Sequence, residues 1–280
     1  SGDAGGALGA AYVAYYLHLQ NKRSVDKKQK DSMRGSYLGT QYSVLDTKKI
    51  LDISNANYHE KADSEIINET SNLLKQNKAI GWFSGKMEFG PRALGARSII
   101  ADPRSATMQK ILNLKVKFRE SFRPFAPSIL REDLEEWFNL NVDSPYMLLV
   151  SDIVSSRKKE MTLEEEKLFG IDKLNIIRSD IPAITHVDYS ARIQTVHKET
   201  NQRYYSLLKK FKEITGCPVI INTSFNIRGE PIVESPLDAF NCFMATGLDA
   251  LVFENLILYK EEQDNIEGYA EDYKSKYELY

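Results

Sequence analysis

Cysteine and histidine are scarce in this chain, and their placing excludes the usual metal and disulfide frameworks. The two cysteines, Cys217 and Cys242, lie in apolar surroundings with no CxxC or CxxH spacing, the pattern of buried free thiols. His18, His59 and His197 have no partner at zinc-ligand spacing. No run of about 18 apolar residues is present to form a transmembrane helix, and the opening Ser1-Gly-Asp-Ala-Gly-Gly6 lacks the basic start of a signal peptide. A soluble, cytoplasmic setting with no membrane partner is the expectation. Charge of one sign is also lacking: 37 Lys and Arg meet 39 Asp and Glu, for a net charge of -2. That balance argues against a dedicated nucleic-acid coat and leaves room only for a local basic groove. Internal repeats are absent too.

What is present suffices for a sizeable core, since 42% of 280 residues are apolar, enough for one large domain or two smaller ones. The chain runs from Gly2-Asp-Ala-Gly-Gly6 straight into Ala7 to His18, a small-residue helix with no strand before it. A glycine-rich turn entering a helix can hold phosphate on free N–H groups, and close helix packing explains the small residues equally well. From Asn21 to Ser36 the composition turns to Lys, Asp, Gln and Ser, a solvated connection between two packed units.

Beyond it, helices and strands alternate. Helices are predicted over Ser64 to Gln76, Ala106 to Phe118, Leu134 to Phe138, Asn201 to Thr215 and Pro236 to Thr246. Strands are predicted over Ala79 to Phe83, Arg97 to Ala101, Phe125 to Leu130, Pro145 to Val154, Pro182 to Val187, Arg192 to His197, Pro218 to Thr223 and Ala250 to Tyr259. This spacing means an α/β layer structure. The charged stretch Ser155 to Asp180 resembles a surface excursion, and Glu261 to Tyr280, with seven acids and two lysines, a loosely held tail.

Cations and glycines concentrate in one region. From Lys86 to Arg123 there are nine Lys or Arg against three Asp or Glu, a local surplus that points at an anion. Arg92, Lys117, Arg119 and Arg123 sit in turn-rich or helix-end sequence beside Gly90, Pro91, Gly95, Pro124 and Pro127, where guanidinium forks suit phosphate oxygens. Lys117 and Arg119 share one side if the backbone is extended and diverge by about 200° if it is helical. Asn222, Ser224 and Asn226 alternate at the carboxyl end of the most apolar strand, where ligands of α/β sheets bind; a capped turn pivoting on Gly229 is the other reading. His186 and Arg192 bracket a polar turn. Arg192 can cap a phosphate, while His186 can polarise a carbonyl or simply satisfy a backbone group.

With these motifs in hand, the chain resembles the O-carbamoyltransferases of the nodulation (NodU-like) and antibiotic-tailoring type, related to the carbamoyl-handling part of hydrogenase maturation proteins. The likeness runs through Gly2 to Gly9, Gly85 to Arg97, Lys117 to Ser128, Ile184 to Asp188, Arg192 to Val196, Asn222 to Asn226 and Gly229 to Val233. Several long motifs in the right order are specific, unlike a lone glycine pattern. The resemblance implies an amino-terminal actin/hexokinase-like transferase domain and a carboxyl-terminal YrdC-like domain with a twisted open mixed sheet and flanking helices. On it, residues 1–36 are the end of the transferase domain with a linker, 37–260 the YrdC-like domain, and 261–280 the acidic tail.

The activity implied is formation of carbamoyl adenylate from carbamoyl phosphate and ATP, with the carbamoyl group passed to a hydroxyl on a sugar or natural product by the other domain. Lys117, Arg92 and Arg192 would be catalytic. Arg119, Arg123, Asn222, Ser224 and Asn226 would join them in holding carbamoyl phosphate or nucleotide. Magnesium is expected with ATP. Asp3 resembles a ligand of an iron-type metal in the transferase domain, whose paired histidines are not among these 280 residues, so that site is incomplete. Lys86 stands where the family commonly has Arg, which keeps the charge and loses the fork. The competing reading is an RNA-binding YrdC-like module, disfavoured by the few cations outside Lys86 to Arg123 and by the acidic tail. A homo-oligomer is left open.

Overall fold

The computed structural model describes residues 2–24, 31–264, 273 and 275–277, with the side chains of residues 2–4 and 171 outside that description. Its strands are β1 (His59–Glu60), β2 (Ile80–Phe83), β3 (Arg97–Ala101), β4 (Ala126–Leu130), β5 (Leu149–Asp152), β6 (Ser190–Val196), β7 (Val219–Ser224), β8 (Ala250–Phe253) and β9 (Leu256–Tyr259). They form one mixed sheet in the order β1-β9-β8-β2-β3-β7-β4-β6-β5. Only β2 with β8 and β4 with β6 pair in parallel. Central strands such as β2, β3 and β8 are buried along their whole length, which is why β2 and β8 are continuous apolar runs rather than alternating ones, while β3 opens with the buried Arg97 and Ser98.

The helices are α1 (Gly2–Tyr12), α2 (Val44–Ile53), α3 (Asp63–Lys75), α4 (Met108–Ile111), α5 (Leu134–Trp137), α6 (Leu163–Glu166), α7 (Gly170–Leu174), α8 (Gln202–Thr215) and α9 (Pro236–Ala245). Side-chain alternation in β2 shows the two covered faces. Trp82 lies under the guanidinium of Arg203 from α8, while the next residue, Phe83, meets Tyr42 just ahead of α2. So α3 and α8 cover one face, and α2 and α9 the other. In α8, Tyr204, Leu207, Leu208 and Phe211 form the buried stripe, each contributing about 2 kcal/mol by burial. Asn201 opens this helix by accepting from Tyr204 N at 3.0 Å, and Gly216 closes it at φ 76°, a left-handed position that suits glycine.

Four departures from the sequence reading have physical causes. Pro182–Ile184 is a single 3-10 turn rather than a strand, because proline brings no N–H to a ladder. Ala250 to Tyr259 is a hairpin, β8 and β9, turned at Glu254 with φ 46°; the polar pair Glu254-Asn255 interrupts the apolar run at the turn. Helix α2 was not anticipated, although Ser43 accepting from Asp46 N at 3.1 Å is an ordinary N-cap signal. The acidic end is not loosely held where it is described: Tyr273 is buried, bonds Glu230 through its hydroxyl and lies tilted against Tyr277 with ring centroids 5.4 Å apart. Residues 265–272, 274 and 278–280 lie outside the described residues. The stretch 155–180 lies largely at the surface, with Phe169 92% exposed. No helix among the described residues is long and apolar enough to cross a membrane.

Candidate functional site

Strand direction gathers the motifs at one end of the sheet. β7 runs antiparallel to both β3 and β4, and β6 runs parallel to β4. The starts of β3, β4 and β6 and the finish of β7 therefore lie side by side, across about 14 Å for four strands. The segment before β3 carries Arg92, the segment before β4 carries Lys117, Arg119 and Arg123, β7 ends at Ser224 just before Asn226, and Arg192 is the third residue of β6.

Lys117 is the buried member, 3% exposed. Helix α4 widens into a π-helical turn, Leu112–Val116, on which Lys117 is the cap, and Phe118 at φ 48° breaks the helix after it. Its ammonium reaches the carbonyl of Ser224, Asn226 O at 2.9 Å, Asn226 Oδ1 at 2.8 Å and Ser224 Oγ at 3.3 Å. Ser224 Oγ in turn donates to Asn226 Oδ1 at 2.7 Å. These are neutral acceptors. Burial pulls the Lys117 ammonium down to about 7, Arg119 pulling the same way, and Cys242 and Glu230 act against it. Arg119 donates to Asn113 Oδ1 at 2.6 Å and lies over the ring of Phe125; burial, then the charge of Arg123, lowers it to about 10.

Arg92 and Arg192 form a second group. Burial lowers Arg192, and the next cause is the charge of Arg92, so the two guanidiniums feel each other. Arg192 also lies 3.9 Å from the sulfur of Met147. Arg92 rims a cavity of about 190 Å³ lined by Leu8, Phe89, Leu94, Tyr146 and Leu148. Among the described residues none of Arg92, Lys117, Arg119, Arg123 and Arg192 is ion-paired with a carboxylate, whereas Arg104, Arg131, Arg203 and Arg228 are. Cations with no carboxylate at ion-pair distance, gathered at one end of a sheet, are the arrangement an anion would favour.

The segment after Arg92 is gripped from several sides. Glu88, buried, accepts from Leu94 N at 2.6 Å and Ala96 N at 2.8 Å, while its Oε2 has no partner among the described residues; burial raises its carboxyl. Leu94 O accepts from Tyr37 Oη at 2.8 Å and Gln194 Nε2 at 2.7 Å. Gly95 O accepts from Trp82 Nε1 at 3.0 Å, and Gly95, at φ 106°, lies against the ring of Tyr204, which leaves no room for a Cβ. Arg97 is wholly buried, stacked 3.4 Å over Phe83, and donates to Gly85 O and Thr40 O.

The structure thus bonds Lys117 to Ser224 and Asn226, while Arg119 with Arg123 and Arg92 with Arg192 are related only through the charge one exerts on the other. Asn222 turns elsewhere: its Nδ2 donates to Ala93 O at 3.1 Å, Ser128 Oγ at 3.0 Å and Gln194 Oε1 at 2.8 Å. His186 is half-buried and is lowered by burial. The Asp3 side chain lies outside the described residues, and among those described no group of three His, Cys, Asp or Glu is placed to hold a metal ion. Glu88 and Gln194 escaped sequence reading. Glu88 lies within Gly85 to Arg97, but nothing in its spacing signals that it binds backbone amides.

Comparison with known proteins gives this arrangement a family. The family model described as Carbamoyltransferase C-terminus matches residues 71–260, more than half of the chain. A protein of Synechocystis sp. described as uncharacterized protein sll1178 is 53% identical over 94% of this chain and 43% of its own length. Nodulation protein NolNO of Sinorhizobium fredii and nodulation protein NolO of Bradyrhizobium diazoefficiens are each 36% identical over 92% of this chain, and over 35% and 43% of their own lengths. The chain therefore spans less than half of these relatives. Among solved structures, full-length HypF in its phosphate- and nucleotide-bound form aligns with a TM-score of 0.44 at 14% identity, over 69% of this chain and 25% of that one. By the family match, this chain belongs to the carbamoyltransferase C-terminal family.

Proposed function

We propose that this chain is the carbamoyl-activating part of an O-carbamoyltransferase. It binds carbamoyl phosphate and ATP and forms carbamoyl adenylate, and a domain outside these residues passes the carbamoyl group to a hydroxyl acceptor. In this reading residues 37–260 are the activating domain and 1–36 the end of the transferring one. Any iron-type metal belongs to that other domain.

The observation that supports the reading is the set of five cations with no carboxylate ion pair among the described residues, at one end of β3, β7, β4 and β6. Bringing two polyanions together costs repulsion, which such cations offset, along with charge developing during adenylyl transfer. Atom balance fixes the outline. Carbamoyl phosphate and water give carbamate and phosphate; a carbamate oxygen then attacks the α-phosphorus of ATP and displaces pyrophosphate. Lys117, at about 7, is poised to gain a proton as an anion arrives. The donors here are cations and amides, so magnesium would enter on the nucleotide phosphates rather than on a protein carboxylate cage. Lys117 and Arg119 are committed inward to Ser224, Asn226 and Asn113, which favours a compact ligand over an RNA strand laid along an open face.

The test is release of pyrophosphate from ATP on addition of carbamoyl phosphate to the 280-residue chain. Release that depends on carbamoyl phosphate and is lost in Lys117→Ala is expected. No release, together with nucleotide binding unchanged in Arg92→Ala and Lys117→Ala, would sink the assignment.

A further inference from the structure

Arg92 and Arg192 carry like charge on two segments that a hydrogen bond of 2.7 Å joins, from Gln194 Nε2 to Leu94 O. Like charges repel, and the placing of the two backbones limits how far apart their side chains stand. Gln194 ties those backbones together. It lies two residues after Arg192 on the same face of β6, and its Nε2 donates at 2.7 Å to Leu94 O, two residues after Arg92. Its Oε1 accepts from Ser128 Oγ at 2.6 Å and Asn222 Nδ2 at 2.8 Å, so the orientation of the amide is set by its neighbours. Asn222 reaches Ala93 O as well, and Glu88 holds Leu94 N and Ala96 N. Gln194 is 2% exposed and does not face the ligand; it acts through the arginines.

We propose that Gln194 is a positioning residue that sets the separation of Arg92 and Arg192 and thereby the grip of that pair on a multiply charged phosphate ligand. The inference rests on the reading of this end of the sheet as a phosphate site. It deepens that reading by naming the residue that couples the two arginines.

Calorimetric titration of the 280-residue chain with inorganic pyrophosphate tests it in a double-mutant cycle of Gln194→Met and Arg192→Ala. Gln194→Met keeps the reach and loses the hydrogen bonds. It should weaken pyrophosphate binding about tenfold in the wild-type background and less than about twofold once Arg192 is alanine. Equal weakening in both backgrounds, which a merely structural amide would give, overturns the proposal. So does unchanged affinity in a Gln194→Met protein that melts cooperatively. If Gln194→Met lacks a cooperative melt, Gln194→Glu enters the same cycle under the same two outcomes, since it keeps an acceptor for Ser128 and Asn222 and loses the donor to Leu94 O. Failure of the wild-type chain to bind pyrophosphate is a distinct result: it removes the phosphate reading itself, and this inference with it.

Discussion

The two halves of the candidate site solve the problem of holding positive charge in opposite ways. On the β7 side a single lysine is buried and bonded to the neutral acceptors of Ser224 and Asn226. On the β6 side two arginines remain less buried and repel each other, while the polypeptide beneath them is clamped by Glu88, Tyr37, Asn222 and Gln194. In the first half the side chain itself is preorganised. In the second the backbone is, and the guanidiniums are left free to close on a ligand. Preorganised charge needs little rearrangement when an anion binds, and the two halves reach that state by burial and by scaffolding respectively.

The harshest way to break the scaffolded half is Gly95→Ala. A Cβ there meets the ring of Tyr204 while φ is 106°, so a loss of about 3 kcal/mol or more is expected, read as a lowered urea midpoint. Lys117→Met should instead spare cooperative unfolding and weaken pyrophosphate binding about 100-fold, since a charge-assisted contact disappears; an affinity within threefold of wild type would remove Lys117 from the site. Arg92→Ala and Arg192→Ala should each cost about tenfold, with the pair of substitutions costing less than the product because they serve one ligand.

The halves should also differ in their response to pH. Lys117 is lowered from 10.5 to about 7 by burial, so at pH 8 the free protein holds it mostly neutral. An anion stabilises the charged form, and binding at pH 8 should take up a proton. Pyrophosphate affinity should fall as pH rises from 7 to 9. Titration in buffers of different ionisation enthalpy measures the uptake, and Lys117→Met should abolish it. The sign for stability is the reverse of a stabilising ion pair. Between about 7 and 10.5 the unfolded lysine binds the proton that the folded one has released, so this group's contribution to stability rises with pH across that window. The smallest effect is a control outside both halves: Phe169→Ala, at a 92% exposed position, should change stability by less than about 0.5 kcal/mol and leave anion binding unchanged.

Much of this was legible along the chain. Helix α8 is marked by its apolar stripe and by Asn201 and Gly216 at its ends. The strands that frame the site carry short apolar stretches, Ile99 to Ala101 in β3 and Val219 to Ile221 in β7, and the cations stand out against a near-neutral total charge. Such features are local, set by periodicity, caps and residue type, and need no knowledge of distant partners. The turn inside Ala250 to Tyr259 is written in the polar pair Glu254-Asn255 between two apolar strands, and is lost when the whole stretch is read as one strand.

Layer class, family motifs and the place where cations concentrate are set by the chain alone. Their grouping comes from the fold: antiparallel β7 and parallel β4 and β6 bring four chain segments to one end of the sheet. It also decided that Asn222 supports Ala93 rather than joining Ser224 and Asn226, and that Gln194 bridges the segments bearing Arg92 and Arg192. The reason is physical. A buried amide or carboxylate takes its role from whichever backbone group lies within about 3 Å of it, and that neighbour is chosen by strand order, which no spacing within a single segment records.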